Sequence, residues 1–379
     1  MTSVFRSVTE KPIFKYFFDF SKDVEDKNFK IKAYAAFVEQ IYLSGGSLTE
    51  LIKKLVFEDE NVYVKLLAKG KTPSTHILDA VNHELALFSE FASLTQEIFK
   101  AELGVEYVSE FYSEKINLAE LYAKRIKNIK NHGYGIFASY TMFRLSDEKE
   151  IEPIISADKI SIDSFVGYEE ERNKVLLNTK AFIDGKPAAN VLLCGDAGTG
   201  KSSTVKAVAN LFFDKGIRLI EIRKDQLSYL PYVMGKISEN PLKFIIFIDD
   251  LAFNKSDDNF SMLKAALEGS ASAKADNAVI YATSNRRHII KETFDDREGN
   301  EVHRNDTMQE SLSLSERFGL VVLFSKPTKQ LYLDIVHELA IKANIKMDIE
   351  ELNVKAEAFA LRRGNRSARC AEHFIKSLM

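Results

Sequence analysis

Apolar residues fall into two textures along the chain. Up to about residue 132 they recur at helical spacing. Asn28 to Leu43 carries Phe29, Tyr34, Phe37, Val38, Ile41 and Tyr42. Thr75 to Leu103 carries Ile77, Leu78, Val81, Leu85, Leu87, Phe88, Phe91, Leu94, Ile98 and Phe99. Such stripes predict amphipathic helices that meet in a bundle core. Pro73 and Ser74 mark the start of the second run. The basic stretch Lys124, Arg125, Lys127 and Lys130 reads as a solvated helix face. His132-Gly133-Tyr134-Gly135 breaks the pattern. Ile136 to Leu145 then reads as one strand, and the charged, Pro153-containing stretch Ser146 to Ser156 as a linker.

From about Ile160 short apolar runs alternate with helical patterns. The strand candidates are Val191 to Cys194, Ile217 to Ile222, Phe244 to Asp249, Val279 to Thr283 and Leu320 to Phe324. This alternation predicts a five-stranded parallel sheet covered on both faces. After Pro327 the chain is helical to Met379. The expected parts are a helical domain over 1–150, an α/β core over 151–326 and a helical lid over 327–379.

Composition narrows the class without naming a task. The 379 residues carry 52 basic and 55 acidic side chains, a formal net charge of −3. That balance gives no whole-chain signal for nucleic acid or a membrane surface. Two cysteines, Cys194 and Cys370, make neither a metal cluster nor a disulfide framework and suit a reducing compartment. No apolar run approaches the roughly 18 residues of a membrane span, and Met1 to Glu10 lacks the apolar core of a signal peptide. The expected location is the cytoplasm.

The chemistry is concentrated in Gly195-Asp196-Ala197-Gly198-Thr199-Gly200-Lys201-Ser202, which fits the phosphate-binding pattern G-x-x-x-x-G-K-[ST]. Glycines let the backbone turn tightly and bring N–H groups against phosphate oxygens. Lys201 can reach the β- and γ-phosphates, and the Ser202 hydroxyl can ligate Mg²⁺. Ser203 opens a helix whose positive end points at the same anion. The strand before the loop and the helix after it are the setting this motif requires. ATP and Mg²⁺ are the expected cofactors.

Phe244-Ile245-Ile246-Phe247-Ile248-Asp249-Asp250 is the second motif. A fully apolar run suits a strand buried on both faces, and it ends in two carboxylates, where open α/β sheets place their ligands. Asp249 is expected to hold Mg²⁺ through water, and Asp250 to orient or activate the attacking water.

One extra strand, Ile217 to Ile222, lies between these motifs, an order that resembles P-loop ATPases of the AAA+ superfamily. The resemblance implies further roles. Tyr281-Ala282-Thr283-Ser284-Asn285-Arg286 is similar to the sensor-1 segment, with Asn285 between γ-phosphate and water. Leu314-Ser315-Glu316-Arg317-Phe318-Gly319-Leu320 resembles the segment that presents an arginine finger, Arg317, to a neighbouring subunit of a ring; a guanidinium forks onto phosphate oxygens and stays charged. Arg363-Gly364-Asn365-Arg366-Ser367-Ala368-Arg369 resembles the sensor-2 region of a lid, with Arg369 preferred over Arg366. The second acid of the superfamily is mostly Glu. Asp250 departs from that, as it does in bacterial replication initiators and helicase loaders, and the departure bears on the hydrolysis rate.

From about Ile160 onward the chain resembles the bacterial AAA-type ATPase family catalogued as domain of unknown function 815. Asn190 to Asp196, Leu263 to Gly269, Tyr281 to His288 and Ser313 to Leu320 carry that resemblance. Val166-Gly167-Tyr168-Glu169 is similar to the stretch that cradles adenine, which implies Val166 and Gly167 as nucleotide contacts. The likeness implies the fold and ATP use and adds little on purpose; the expected function is an oligomeric Mg-dependent ATPase that remodels or regulates a macromolecule, a protein in preference to nucleic acid and not a membrane. The alternatives are a nucleic-acid-associated loader or initiator, and an ATP switch that hydrolyses slowly or not at all.

Weaker signals lie outside these motifs. Tyr232-Val233-Met234-Gly235 is similar to an aromatic pore loop, yet its flanks Leu227, Leu230 and Pro231 read as an ordinary helix. The polar stretch Lys291 to Asp306 reads as an exposed loop, and His288 and His303 as surface histidines.

Overall fold

In the computed structural model the described residues are 2–157, 160–252, 258–267, 275–285 and 316–379. They form two compact units. One comprises Met1–Ser139 with Glu239–Pro241, the other Tyr140–Ser238 with Leu242–Met379. No helix among the described residues is long and apolar enough to cross a membrane.

The first unit is helical. Asp26 caps the helix Lys27–Leu43 by accepting from Asn28 N (2.9 Å) and Phe29 N (3.2 Å), which satisfies two otherwise orphaned amides. Its buried stripe is Tyr34, Phe37, Val38 and Ile41, while Phe29 and Tyr42 are exposed. The single long helix suggested by the run from Thr75 to Leu103 is two helices, Thr75–Ala92 and Gln96–Leu103. Ser93 Oγ turns back to Ser89 O (2.7 Å) and Thr95 adopts an extended backbone. The break lets Phe91 and Phe99 both meet Phe37, at ring separations of 6.2 and 5.2 Å. The stripe was legible; the fold of the helix upon itself was not. On the helix Leu118–Lys127 the expected solvated basic face holds for Lys124 and Lys127. Arg125 instead is half-buried, with its guanidinium 5.0 Å above the Phe57 ring.

The second unit holds a seven-stranded sheet. Its strands are β1 (Met142–Leu145), β2 (Ile151–Pro153), β3 (Val191–Gly195), β4 (Ile217–Glu221), β5 (Lys243–Ile248), β6 (Ala278–Ser284) and β7 (Leu320–Phe324). The order is β2-β1-β4-β5-β6-β3-β7, parallel except for the β1–β2 pair. All five strands read from the sequence are present. Two more extend the sheet, because the stretch read as a linker is a hairpin in which Arg144 and Glu152 pair across the strands at 3.1 Å. Pro153 is tolerated there because β2 is an edge strand. Ile136 to Leu145 is a 3₁₀ turn, Gly135–Ala138, followed by a shorter strand. The boundary expected at residue 150 falls in the hairpin turn, and the sheet-bearing unit begins at Tyr140.

The five strands read from the sequence stand in the order β4-β5-β6-β3-β7, with the glycine-rich loop after β3. Central strands β3, β5 and β6 are buried almost throughout, as double coverage demands. Three helices, Lys329–Lys342, Ile349–Arg363 and Ala368–Lys376, close the chain around their own core of Tyr332, Val336, Ala356 and Phe374.

In the first unit a buried carboxylate ties the residues before the first helix to the helix Thr75–Ala92. Glu84 is 1 % exposed and accepts from Ser3 N (2.6 Å), Phe5 N (2.8 Å) and Val4 N (3.1 Å) ahead of the helix Arg6–Thr9. Burial pushes its pKa up, but the bonds from Phe5, Ser3 and Val4 outweigh burial and hold it below the ordinary 4.5. A depressed folded pKa gives stability that is complete above the unfolded value and lost as pH falls through the folded one. Glu84→Gln is therefore expected to destabilise the unit by about 2 kcal/mol at neutral pH, the scale of charge-assisted hydrogen bonds. Thermal melts of both proteins should differ most above pH 5 and converge below pH 4.

Candidate active site

The carboxyl ends of β3, β5 and β6 gather at one edge of the sheet because the strands are parallel and in register. Phe247 lies beside Tyr281, and Ile248 beside Ala282. Leu193 lies beside Thr283, and Cys194 beside Ser284. The residues that follow each strand therefore share one cavity of about 460 Å³. Its lining includes Ala197, Gly198, Thr199, Gly200, Lys201, Ser202 and Ser203 from the loop and helix start, with Asp249, Asp250, Thr283 and Asn285 opposite.

The loop's conformation requires its glycines. Gly195 has φ +130°, and a Cβ there would lie 2.0 Å from Phe324 O of β7. A Cβ on Gly198, at φ +77°, would lie 3.0 Å from Ser367 Oγ and 3.3 Å from Arg369 Cβ, whereas one on Gly200, at φ +92°, would meet nothing within 4 Å. The loop thus stays open on the cavity side while closing against β7. Thr199 Oγ1 donates to Asp196 O at 2.9 Å and tightens the turn. Gly195 and Asp196 do not line the cavity; their carbonyls hold Lys201 Nζ at 3.0 and 2.7 Å.

Lys201 is 5 % exposed, and its third bond goes to Asn285 Oδ1 at 3.0 Å. Burial lowers its pKa, opposed by the charges of Asp196, Cys194, Asp249 and Asp250. Ser202 Oγ donates to Asp249 Oδ1 at 2.6 Å. Thr283 Oγ1 donates to the same oxygen. Asn285 Nδ2 donates to Asp250 Oδ1 at 2.7 Å. Lysine, both acids and the amide are one connected polar network.

The other side of the cavity is less polar. Val166 and Tyr168 line it together with Ile335 and Leu339 of the helix Lys329–Lys342. Gly167 is not on the lining; at φ +71° it lets Leu331 approach so closely that a Cβ would sit 2.2 Å from Leu331 Cδ1. Tyr168 donates to Ser325 O at 2.5 Å, and burial, then the charges of Glu171 and Asp196, push its pKa up to about 12. Arg172, buried above the Phe165 ring at 5.3 Å, also lines this side. It had no motif to reveal it. Ile335 and Leu339 have the i, i+4 spacing of a helix face, yet only folding brings that face to the loop.

The two arginines expected in a lid separate. Arg369 lines the cavity. Arg366 makes a forked pair with Glu357, at 3.0 Å from Nε and 2.9 Å from Nη2. Arg317 lies outside the cavity, before β7, whose first residue Leu320 pairs with Val191 and whose last, Phe324, with Gly195. Four strand steps of about 3.3 Å put roughly 13 Å between those ends, and Arg317 precedes the far one. Tyr232 to Gly235 lies in the helix Leu230–Ile237, with Val233 and Met234 buried, so this stretch is not a loop. Arg286, His288, the stretch 291–306, His303 and Ser315 lie outside the described residues.

The residue set fits a triphosphate with Mg²⁺. The cradle is open at Gly200, a helix begins at Lys201, and Ser202 and Asp249 place hard oxygens side by side. No group of three or more His, Cys, Asp or Glu among the described residues can hold a metal unaided.

Residues 138–379 match the family described as protein of unknown function, DUF815. The chain belongs to that family. No curated protein matches it. Among solved structures, the DUF815 chain is similar to the Thermotoga maritima RuvB Holliday junction branch migration motor, at 17% identity and TM-score 0.40. That match covers 58% of this chain and 64% of the motor, so it spans less than two thirds of the motor's length. A single-site variant of the motor matches at 19% identity and TM-score 0.39, over 57% of this chain and 63% of that one.

Gly195→Ala is expected to destabilise the sheet-bearing unit by about 3 kcal/mol, through left-handed strain and collision with the Phe324 carbonyl. At roughly 2–4 °C per kcal/mol for a unit of this size, calorimetry should show its melting transition lowered by several degrees.

Proposed function

We propose that the chain is a Mg-dependent ATPase whose turnover is coupled to remodelling or regulating a protein partner in the cytoplasm. The carrying observation is the connected network of Lys201, Asn285, Asp250, Asp249 and Ser202 beside the helix start at the phosphate-binding loop. Each member has a distinct task. Loop amides from Ala197 to Ser203 and the Lys201 ammonium receive the phosphate oxygens, while the Asp196 amide donates to Phe324 O at 3.1 Å. Ser202 and Asp249 hold Mg²⁺, which supplies charge neutralisation on the β- and γ-phosphates. Asp250 aligns a water and accepts its proton as the water oxygen bonds to the γ-phosphorus and the β–γ bridging oxygen departs with its electrons. Asn285, hydrogen-bonded to both Lys201 and Asp250, sets the distance between phosphate and water.

Val166 receives the base on the less polar side, and Gly167, off the lining, lets the chain pass close to Leu331. The C-terminal helices of residues 327–379 act as a lid that brings Arg369 to the phosphates, while Arg366 braces the lid through Glu357. Arg317, beyond the far end of β7, serves a neighbouring copy, and the working form is a homo-oligomer.

Two variants separate binding from chemistry. Lys201→Ala should weaken ATP affinity at least tenfold in calorimetry. Asp250→Asn should bind ATP within about threefold of wild type yet lose 100-fold or more in turnover, the scale of removing a positioned acid–base group. Equal turnover by Asp250→Asn and wild type would assign the water to another residue.

Arg317→Ala should bind ATP normally and hydrolyse it 100-fold or more slowly, less than the largest arginine-finger effects. Mixing it with Lys201→Ala should restore part of the activity, because a subunit with an intact loop then meets a neighbour with an intact arginine. Specific activity independent of protein concentration in a strictly monomeric wild type would refute the shared site.

A further inference from the structure

Asp250 has a backbone that aspartate seldom adopts. Its φ is +50°, one of four positive-φ residues other than glycine among the described residues. Asp and Asn tolerate this region better than most side chains, but it remains costly without support. It sits where β5 ends and the water-orienting carboxylate must face the phosphate.

The support comes from a residue with no assigned role. Thr283, 2 % exposed on β6, touches three consecutive residues after β5. Its hydroxyl donates to Asp249 Oδ1. The same hydroxyl accepts from Asp250 N at 3.0 Å. Its carbonyl accepts from Leu251 N at 2.7 Å. The single hydroxyl proton goes to one acid, and a lone pair receives the amide of the other. Thr283 is itself held rigidly. β6 pairs with β3 and β5 on either side, and two residues earlier the Tyr281 hydroxyl bonds Thr179 Oγ1 at 2.7 Å and Asn178 Nδ2 at 3.0 Å.

We propose that Thr283 is a positioning residue for both carboxylates. It turns one Asp249 oxygen toward Ser202 and holds Asp250 in the left-handed conformation that brings its carboxylate to Asn285. This rests on the ATPase reading of the site. Thr283 touches neither phosphate nor water in that reading; it acts through the acids. Valine keeps the shape of threonine and removes the hydroxyl, leaving the Asp250 amide with only Asp249 Oδ1, at 3.1 Å. Serine keeps the hydroxyl.

The test compares Thr283→Val, Thr283→Ala and Thr283→Ser with wild type, in the full chain. For Val and Ala, kcat should fall at least tenfold, ATP affinity without Mg²⁺ should stay within threefold, and half-maximal activity should need severalfold more Mg²⁺. Thr283→Ser should recover kcat to within threefold of wild type. A general loss of packing would not split kcat from affinity in this way, nor be repaired by the smaller serine. Should valine prevent folding, alanine reads the same hydroxyl. Val and Ala variants with wild-type kcat and Mg²⁺ dependence, or a Ser variant as slow as Val, would overturn the role of Thr283 alone. A folded wild type that binds ATP but never turns it over would overturn the ATPase reading and this inference with it.

Discussion

The site depends on β6 lying between β3 and β5. The glycine-rich loop and the acid pair follow strands that are not neighbours. One strand of spacing, about 4.8 Å on each side, opens a crevice at their carboxyl ends, where open α/β sheets hold ligands. The intervening strand ends in Thr283 and Asn285, so the gap is bridged by polar side chains. Asn285 faces the lysine on one side and the second acid on the other. Thr283 fastens the acids to the sheet.

Burying these groups is possible because each has a partner. The Lys201 ammonium has three donors and three acceptors within 3.0 Å. An unpaired ammonium at that depth would favour its neutral form, and the lowered pKa shows that burial already pulls in this direction. Two of the three acceptors are carbonyls of Gly195 and Asp196. The loop's backbone geometry and the lysine's position are therefore one feature, and the glycine that permits the close pass beside Phe324 serves both.

The two units meet the same burial demand by different means. The sheet uses aliphatic strands covered on both faces. The helical unit uses rings: Phe14, Phe17, Phe37, Phe91 and Phe99 stack, tilt or meet edge to face at 4.5 to 6.3 Å. Edge-to-face pairs add directional preference to plain burial. Such a core needs each helix at a set angle, which explains why the apolar run from Thr75 to Leu103 bends at Ser93 rather than continuing.

The sequence by itself determined the alternation of five strands with helices, the glycine-rich loop between strand and helix, and the acid pair. Those signals are local: a fully apolar run, a glycine pattern, carboxylates at a strand end. Tertiary structure alone decided the rest. The β1–β2 hairpin carries linker-like residues, because an edge pair needs few apolar side chains. Ile335, Leu339 and Arg369 reach the cavity only because the last three helices pack beside the loop, over a hundred residues away. Arg366 and Arg369 are alike on paper; Glu357 lies close enough to engage one of them. Thr283 was visible in its motif as a residue, but its bonds to Asp249 and Asp250 exist only because β5 and β6 pair in a particular register. Spacing along the chain records which groups a strand can present, whereas register between strands fixes which of them touch.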